Sequence, residues 1–193
     1  MKSILQLGFG LLFLFNMVAC GSRAGGGRQD VPTVFFDLRT YFEGEIERLK
    51  AQGTAVRKEI EMNGKTEVQT QEALDFEKEF AIFVRSDINK PAWRNKYKVD
   101  SVMNANQLLS LQYTAIDSSL KTRILTIEFK AAEVARISIF NKSDSPLIKA
   151  EQRLTFEPDR GYHIRNSQVL SLSKDSELSI AATFLKEKED RGE

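Results

Sequence analysis

The chain holds one cysteine, Cys20, one histidine, His163, and one tryptophan, Trp93, among 193 residues. A single cysteine excludes an internal disulfide. A single histidine leaves any histidine-based site resting on His163 alone, and its place beside Tyr162 in a strand-like stretch reads as a side chain facing water. No serine sits in a Gly-x-Ser-x-Gly elbow, and no residues have zinc-ligand spacing. Gly25 to Gly27 precede no helix in phosphate-binding form. Glu77 and Glu79 read as a solvated, solubilising pair on a helix face. A glycosidase-type acid pair would have to come from distant strands. These absences predict a non-enzymatic protein with no catalytic, cofactor or metal residues. Neither sign of charge dominates: 28 Lys and Arg stand against 27 Asp and Glu, and removal of a leader containing Lys2 would leave 27 of each. That balance offers no electrostatic footing for nucleic acid and no polybasic patch for anionic lipid headgroups.

What the chain does have is a first segment of unmistakable composition. Lys2 supplies a positive charge, Ile4 to Phe15 form a mostly apolar run, and Met17-Val18-Ala19-Cys20 follow. The run is too short for a stable membrane span and reads as an export signal. Its last four residues resemble the bacterial lipobox. That resemblance implies cleavage before Cys20 and lipidation of Cys20, which would consume the only thiol in a thioether. Buried acyl chains contribute roughly 0.8 kcal/mol per CH₂, so two of them hold a protein on a bilayer. The expected organisation is a cleaved signal peptide over 1–19, a lipidated flexible tether over 20–32 and a single α+β domain over 33–193. Glycine density between Gly21 and Asp30 makes the tether flexible. Gly21 follows the cysteine, and Arg23 and Arg28 precede the first acid, Asp30. By resemblance to Bacteroidota-like lipoproteins, this arrangement implies the periplasmic face of the outer membrane.

Two helices are predicted. The first spans about Thr33 to Gln52, with Asp30 or Thr33 as cap, Pro32 in its first turn and Gly53 at its end. Phe35, Leu38, Phe42, Ile46 and Leu49 share a narrow arc. The second spans about Gln71 to Ser86, capped by Thr70, with Ala73, Phe76, Phe80, Phe83 and Val84 on one face. Between them lies a hairpin, Ala55–Met62 and Thr66–Thr70, turned by Asn63-Gly64. Its charged strands are expected at a sheet edge. Pro91 pushes Lys90 out of helical geometry. From Tyr97 onward the chain alternates: Tyr97 to Met103, Leu109 to Ala115, Leu125 to Phe129, Val134 to Phe140, Ile148 to Phe156, Tyr162 to Leu172 with a bend near Asn166-Ser167, and Leu178 to Phe184. Turns are expected at Asp117–Ser119, Lys142–Pro146 and Pro158–Gly161. The tail from Lys186 is charged.

The expected fold is α+β: a curved antiparallel β-meander of about seven to nine strands with two amphipathic helices packed on its apolar face. The segment Asn89-Lys90-Pro91, followed by Tyr97-Lys98-Val99-Asp100, resembles an "NKP…Y.VD" stretch found in a group of Bacteroidota envelope lipoproteins. The layout is also similar to the open half-barrel of lipoprotein carriers and receptors in outer-membrane sorting, a likeness of architecture that carries no function with it. Two functions fit. One is a partner-binding or accessory module, with the membrane reached through the lipid anchor and an envelope protein as partner. The other is a hydrophobic ligand or lipid carrier using the space between helices and sheet. The bulk of the phenylalanine side chains favours a filled space. Trp93, beside Pro91 and Tyr97, is the candidate partner or ligand contact.

Replacing Cys20 with Ala should leave the precursor uncleaved and free of lipid. Metabolic labelling with a tagged fatty acid checks this, and label retained by the Cys20→Ala chain would disprove the anchor.

Overall fold

Two aspartates begin the two α-helices found among the described residues. The computed structural model describes residues 34–171 and 175–185. The expected signal peptide, Cys20, the tether over 20–32, Leu172 and the tail from Lys186 lie outside the described residues. Helix α1 spans Leu38–Ala51. Asp37 Oδ1 accepts from the Thr40 N–H at 3.0 Å, and Oδ2 accepts from the Thr40 hydroxyl at 2.9 Å. The helix therefore starts later than predicted, and neither Asp30 nor Thr33 caps it. The N–H groups of the residues before it are bound by side chains from elsewhere instead. Asn89 Oδ1 accepts from the N–H groups of Val34 and Phe35, and the Tyr113 hydroxyl accepts from that of Phe36. Gly53 closes α1 as predicted, at φ +58°, with Thr54 N–H bonded to Leu49 O and Gly53 N–H to Lys50 O, both at 3.1 Å.

Helix α2 spans Phe76–Val84, with Asp75 accepting from the Lys78 N–H at 3.2 Å. The expected start at Gln71 and cap at Thr70 are wrong because Gln71 still pairs with Val56 in the hairpin. Ala73 is accordingly exposed rather than on the buried face. A 3₁₀ turn, Pro91–Trp93, follows, with Lys90 extended at φ −101° as Pro91 requires.

Nine strands form one open, wholly antiparallel sheet. They are β1 (Ala55–Met62), β2 (Lys65–Gln71), β3 (Tyr97–Asn104), β4 (Gln107–Ala115), β5 (Thr122–Lys130), β6 (Glu133–Asp144), β7 (Ile148–Glu157), β8 (Gly161–Leu170) and β9 (Ser176–Leu185). Their spatial order is β2-β1-β9-β8-β7-β6-β5-β4-β3. The meander predicted from Tyr97 is therefore present, and the α+β class holds. The β1–β2 hairpin turns at Asn63 (φ 50°) and Gly64 (φ 80°), as read from the sequence. Of the hairpin's two strands only β2 is an edge, however. β1 pairs with β9 along its whole length, from Ala55↔Leu185 to Met62↔Leu178. β6 continues to Asp144, past the start of the turn expected at Lys142. β8 pairs in unbroken register through Asn166 and Ser167. Two turns use left-handed alanines, Ala105 in one and Ala131 with Ala132 in the other, and carry no glycine signal. Gly161 is irreplaceable in another way: at φ +139°, a Cβ there would lie 1.9 Å from Ala182 O on β9.

Both helices lie on the apolar face of the sheet. Phe42 meets Phe83 and Phe156 at ring-centroid distances of 5.0 Å and Phe80 at 5.3 Å. Phe80 reaches Tyr162 at 5.7 Å, and Phe76 reaches Phe184 at 6.4 Å. Phe35, just ahead of α1, meets Tyr97 at 5.7 Å and Tyr113 at 5.4 Å. All five residues of the predicted arc are buried.

Phe42 is fully buried, so Phe42→Ala should cost about 3–5 kcal/mol. Glu47→Ala, on the exposed side of α1, should stay within about 0.5 kcal/mol. Chemical denaturation checks both, and equal losses would mean the helix face is misplaced.

Candidate functional site

Among the described residues, no three of His, Cys, Asp and Glu gather in a way that could hold a metal ion. His163 lies on the face of the sheet away from the helices, half-buried rather than fully in water, with Nε2 2.9 Å from Ser179 Oγ. Burial, with Arg165 nearby, lowers its pKa and leaves the ring neutral at pH 7. One cleft of about 440 Å³ runs past His163, Arg160 and Thr183. A second of about 430 Å³ lies between the end of α1 and the β7–β8 turn. Arg48 in that second cleft is already committed, to Glu45 and to Pro158 O, both at 2.7 Å.

A buried ion pair was missed by sequence reasoning. Lys58 on β1 points to the helices, and its Nζ is 2.8 Å from Glu79 Oε2 on α2. The Tyr162 hydroxyl on β8 donates to Glu79 Oε1. Glu79 is thus not part of a solvated pair with Glu77, which faces outward to Lys50 at 2.7 Å. The available signals were the even spacing of Val56, Lys58 and Ile60, and the position of Glu79 three residues after Phe76. A buried pair that also binds a hydroxyl fixes α2 against two strands. Removing one partner would leave an uncompensated charge.

Beyond α2, the covered face of the sheet turns polar. Asn141 Nδ2 donates to Ser86 Oγ at 2.8 Å and to Gln152 Oε1 at 2.9 Å, and Gln152 Nε2 donates to Asn166 Oδ1 at 2.8 Å. These three amides cross β6, β7 and β8 in register and line a cleft of about 180 Å³. The row also anchors the end of α2, since Thr122 donates to Ser86 O and Tyr97 donates to Thr122 O.

The sheet's two edges differ. β2 exposes one large apolar residue, Val68. β3 exposes three, Val99, Val102 and Met103, each about half accessible at 49%, 55% and 54%. Trp93, the residue singled out from the sequence, stands beside this strand. It is half-buried, its ring 6.3 Å from that of Tyr97, with Lys90 Nζ 3.9 Å over it. Trp93 therefore stands at the start of β3, beside Tyr97. Sequence reading identified the alternation of β3 and missed its position at the edge. The signal was its place as the first strand after the crossover from α2.

Backbone direction along β3 follows from one bond. Lys96 O accepts from Ile116 N–H, so Lys96 faces β4. Alternation then turns Lys98 and Asp100 toward β4, and the N–H and C=O groups of Tyr97, Val99 and Ser101 outward. An open row of donors and acceptors beside exposed apolar side chains is a strand-docking surface.

Burial raises the pKa of all four tyrosines: Tyr97 is pushed up to about 12, and Tyr41, Tyr113 and Tyr162 also rise, Tyr162 further because of the Glu79 carboxylate. An unfolded tyrosine ionises near pH 10. Above that pH the unfolded chain binds fewer protons than the native one, so stability falls as pH rises. The denaturation midpoint should drop between about pH 10 and 12, and Tyr162→Phe should flatten the drop. A midpoint with the same pH dependence in both chains would refute the assignment. No family model, curated protein or solved structure matches the chain.

Proposed function

We propose that this chain is a non-enzymatic lipoprotein of the bacterial cell envelope, anchored through Cys20 at the periplasmic face of the outer membrane. It works by holding a partner protein against an edge of its sheet. The observation that carries this reading is the division of labour between the sheet's face and its rim. The apolar face is occupied by phenylalanine rings packed at 5.0–6.4 Å, which supports a solid interior over a lipid-carrying one. The rim keeps a strand with one open edge, β3, with exposed Val99, Val102 and Met103 and with Trp93 beside its start. A strand added there would gain main-chain hydrogen bonds, and the apolar side chains would give it specificity.

Native mass spectrometry of the full-length protein, extracted from its membrane in mild detergent, tests the reading. The expected result is a protein complex with no lipid beyond the covalent anchor. A stoichiometric lipid that a fatty-acid probe displaces would replace it with the carrier reading.

A further inference from the structure

The partner-binding reading leaves open what β3 pairs with, and the strand's own sequence answers. We propose that β3 pairs with β3 of a second copy of this chain, antiparallel about a two-fold axis through Val99. The proposal rests on the partner-binding reading and narrows it to self-association.

Three observations carry it. The first is backbone polarity. Val99 presents its N–H and C=O to the open edge, so two copies of Val99 can exchange a pair of hydrogen bonds across a two-fold axis. The second is charge. Pairing about Val99 sets Lys98 opposite Asp100 of the second copy, and Asp100 opposite its Lys98. Tyr97 then meets Ser101. Within one chain Lys98 Nζ and Asp100 Oδ1 already sit 2.9 Å apart, exposed, on the side of the sheet away from the helices. Pairing lets each find the same partner type across the seam. Other registers lose this match. Centring on Ser101 puts Asp100 against Val102 and Lys98 against Asn104. Centring on Tyr97 puts Lys98 against Lys96, and centring on Asp100 puts carboxylate against carboxylate. Opposite charges directly across an antiparallel pair are favourable and like charges are not. The rival edge can repeat this match only about Thr66, where Lys65 of β2 would meet Glu67; the strand begins at Lys65, straight after the Asn63-Gly64 turn, so that register spans three strand residues against five, Tyr97 to Ser101, on β3.

The third observation is where the preceding chain joins the body. Val34 follows the expected tether, and Phe35 packs its ring on Tyr97 and Tyr113, beside the β3 edge. Copies tethered in one membrane meet at a high effective concentration, which offsets the small area that one strand pair buries.

The test uses the full-length, lipidated chain in its own membrane. Val99→Cys, treated with a short bis-maleimide, should give a homodimer, and Val68→Cys on β2 should not. Lys98→Asp gives a strand with two carboxylates, and Asp100→Lys gives one with two ammonium groups. Each alone should weaken the Val99→Cys crosslink roughly tenfold, and co-expressing the two should restore it as a mixed dimer. Denaturation midpoints of each variant guard against unfolding. Equal crosslinking in all variants would overturn the register. A crosslink from Val99→Cys to a different protein would overturn self-pairing while leaving the partner reading in place. No crosslink at either edge would overturn both.

Discussion

Phe42, Phe80, Phe83 and Phe156 meet ring against ring in the middle of the molecule, and the rest of the structure depends on that meeting. An antiparallel sheet with one apolar face has no stability of its own in water until that face is covered. Here the cover is two short helices of different origin, one ahead of the hairpin and one at the crossover. Neither helix is long enough to persist alone. Each becomes a helix because its phenylalanines find the sheet, and the sheet is dry because the helices are there. Edge-to-face geometry dominates these contacts, as in Phe80–Phe83 at 90° and Phe80–Tyr162 at 89°. Aromatic pairs prefer such arrangements and gain from them beyond the area they bury.

Polar contacts then decide how the cover is seated. Apolar packing alone would tolerate sliding of α2 along the sheet. The Lys58–Glu79–Tyr162 group holds the start of α2 to β1 and β8, and the Ser86–Asn141–Gln152 row holds its end to β6 and β7. Each is a specific bond made in low dielectric, where a misplaced partner is costly. Asn141 Oδ1, buried without a partner, is the one side-chain acceptor of this row left unsatisfied.

Much of this was legible from the residues. The phenylalanine arcs, the Asn63-Gly64 turn, the Gly53 stop and the alternation from Tyr97 onward each have a local physical cause, and local causes can be read from local sequence. The failures share a different character. The helix starts were misplaced because long-range bonds from Asn89 and Tyr113 take the N–H groups of residues 34–36, and because β2 keeps Gln71 for itself. β1 was taken for an edge because its charges looked solvated, but Lys58 has a partner on a helix more than a dozen residues away. Trp93 could be singled out by type, yet its neighbourhood with an open strand is a matter of topology. The lipobox and the tether rest on sequence alone, since they fall outside the described residues.

The pairing of β1 with β9 has a consequence for how the chain is made. β1 is complete by Met62, whereas its neighbour begins only at Ser176. Topologies dominated by such distant pairings fold slowly, because the loop must close before the contacts reward it. The hairpin waits with a bare flank through the synthesis of the whole meander. The last strand is therefore the keystone, seated between the first strand and β8. A chain shortened before Ser176 would carry two unpaired flanks, on β1 and on β8, in the middle of what should be one sheet. Such flanks are templates for aggregation. Integrity of the far end of the polypeptide thus decides whether the near end folds at all.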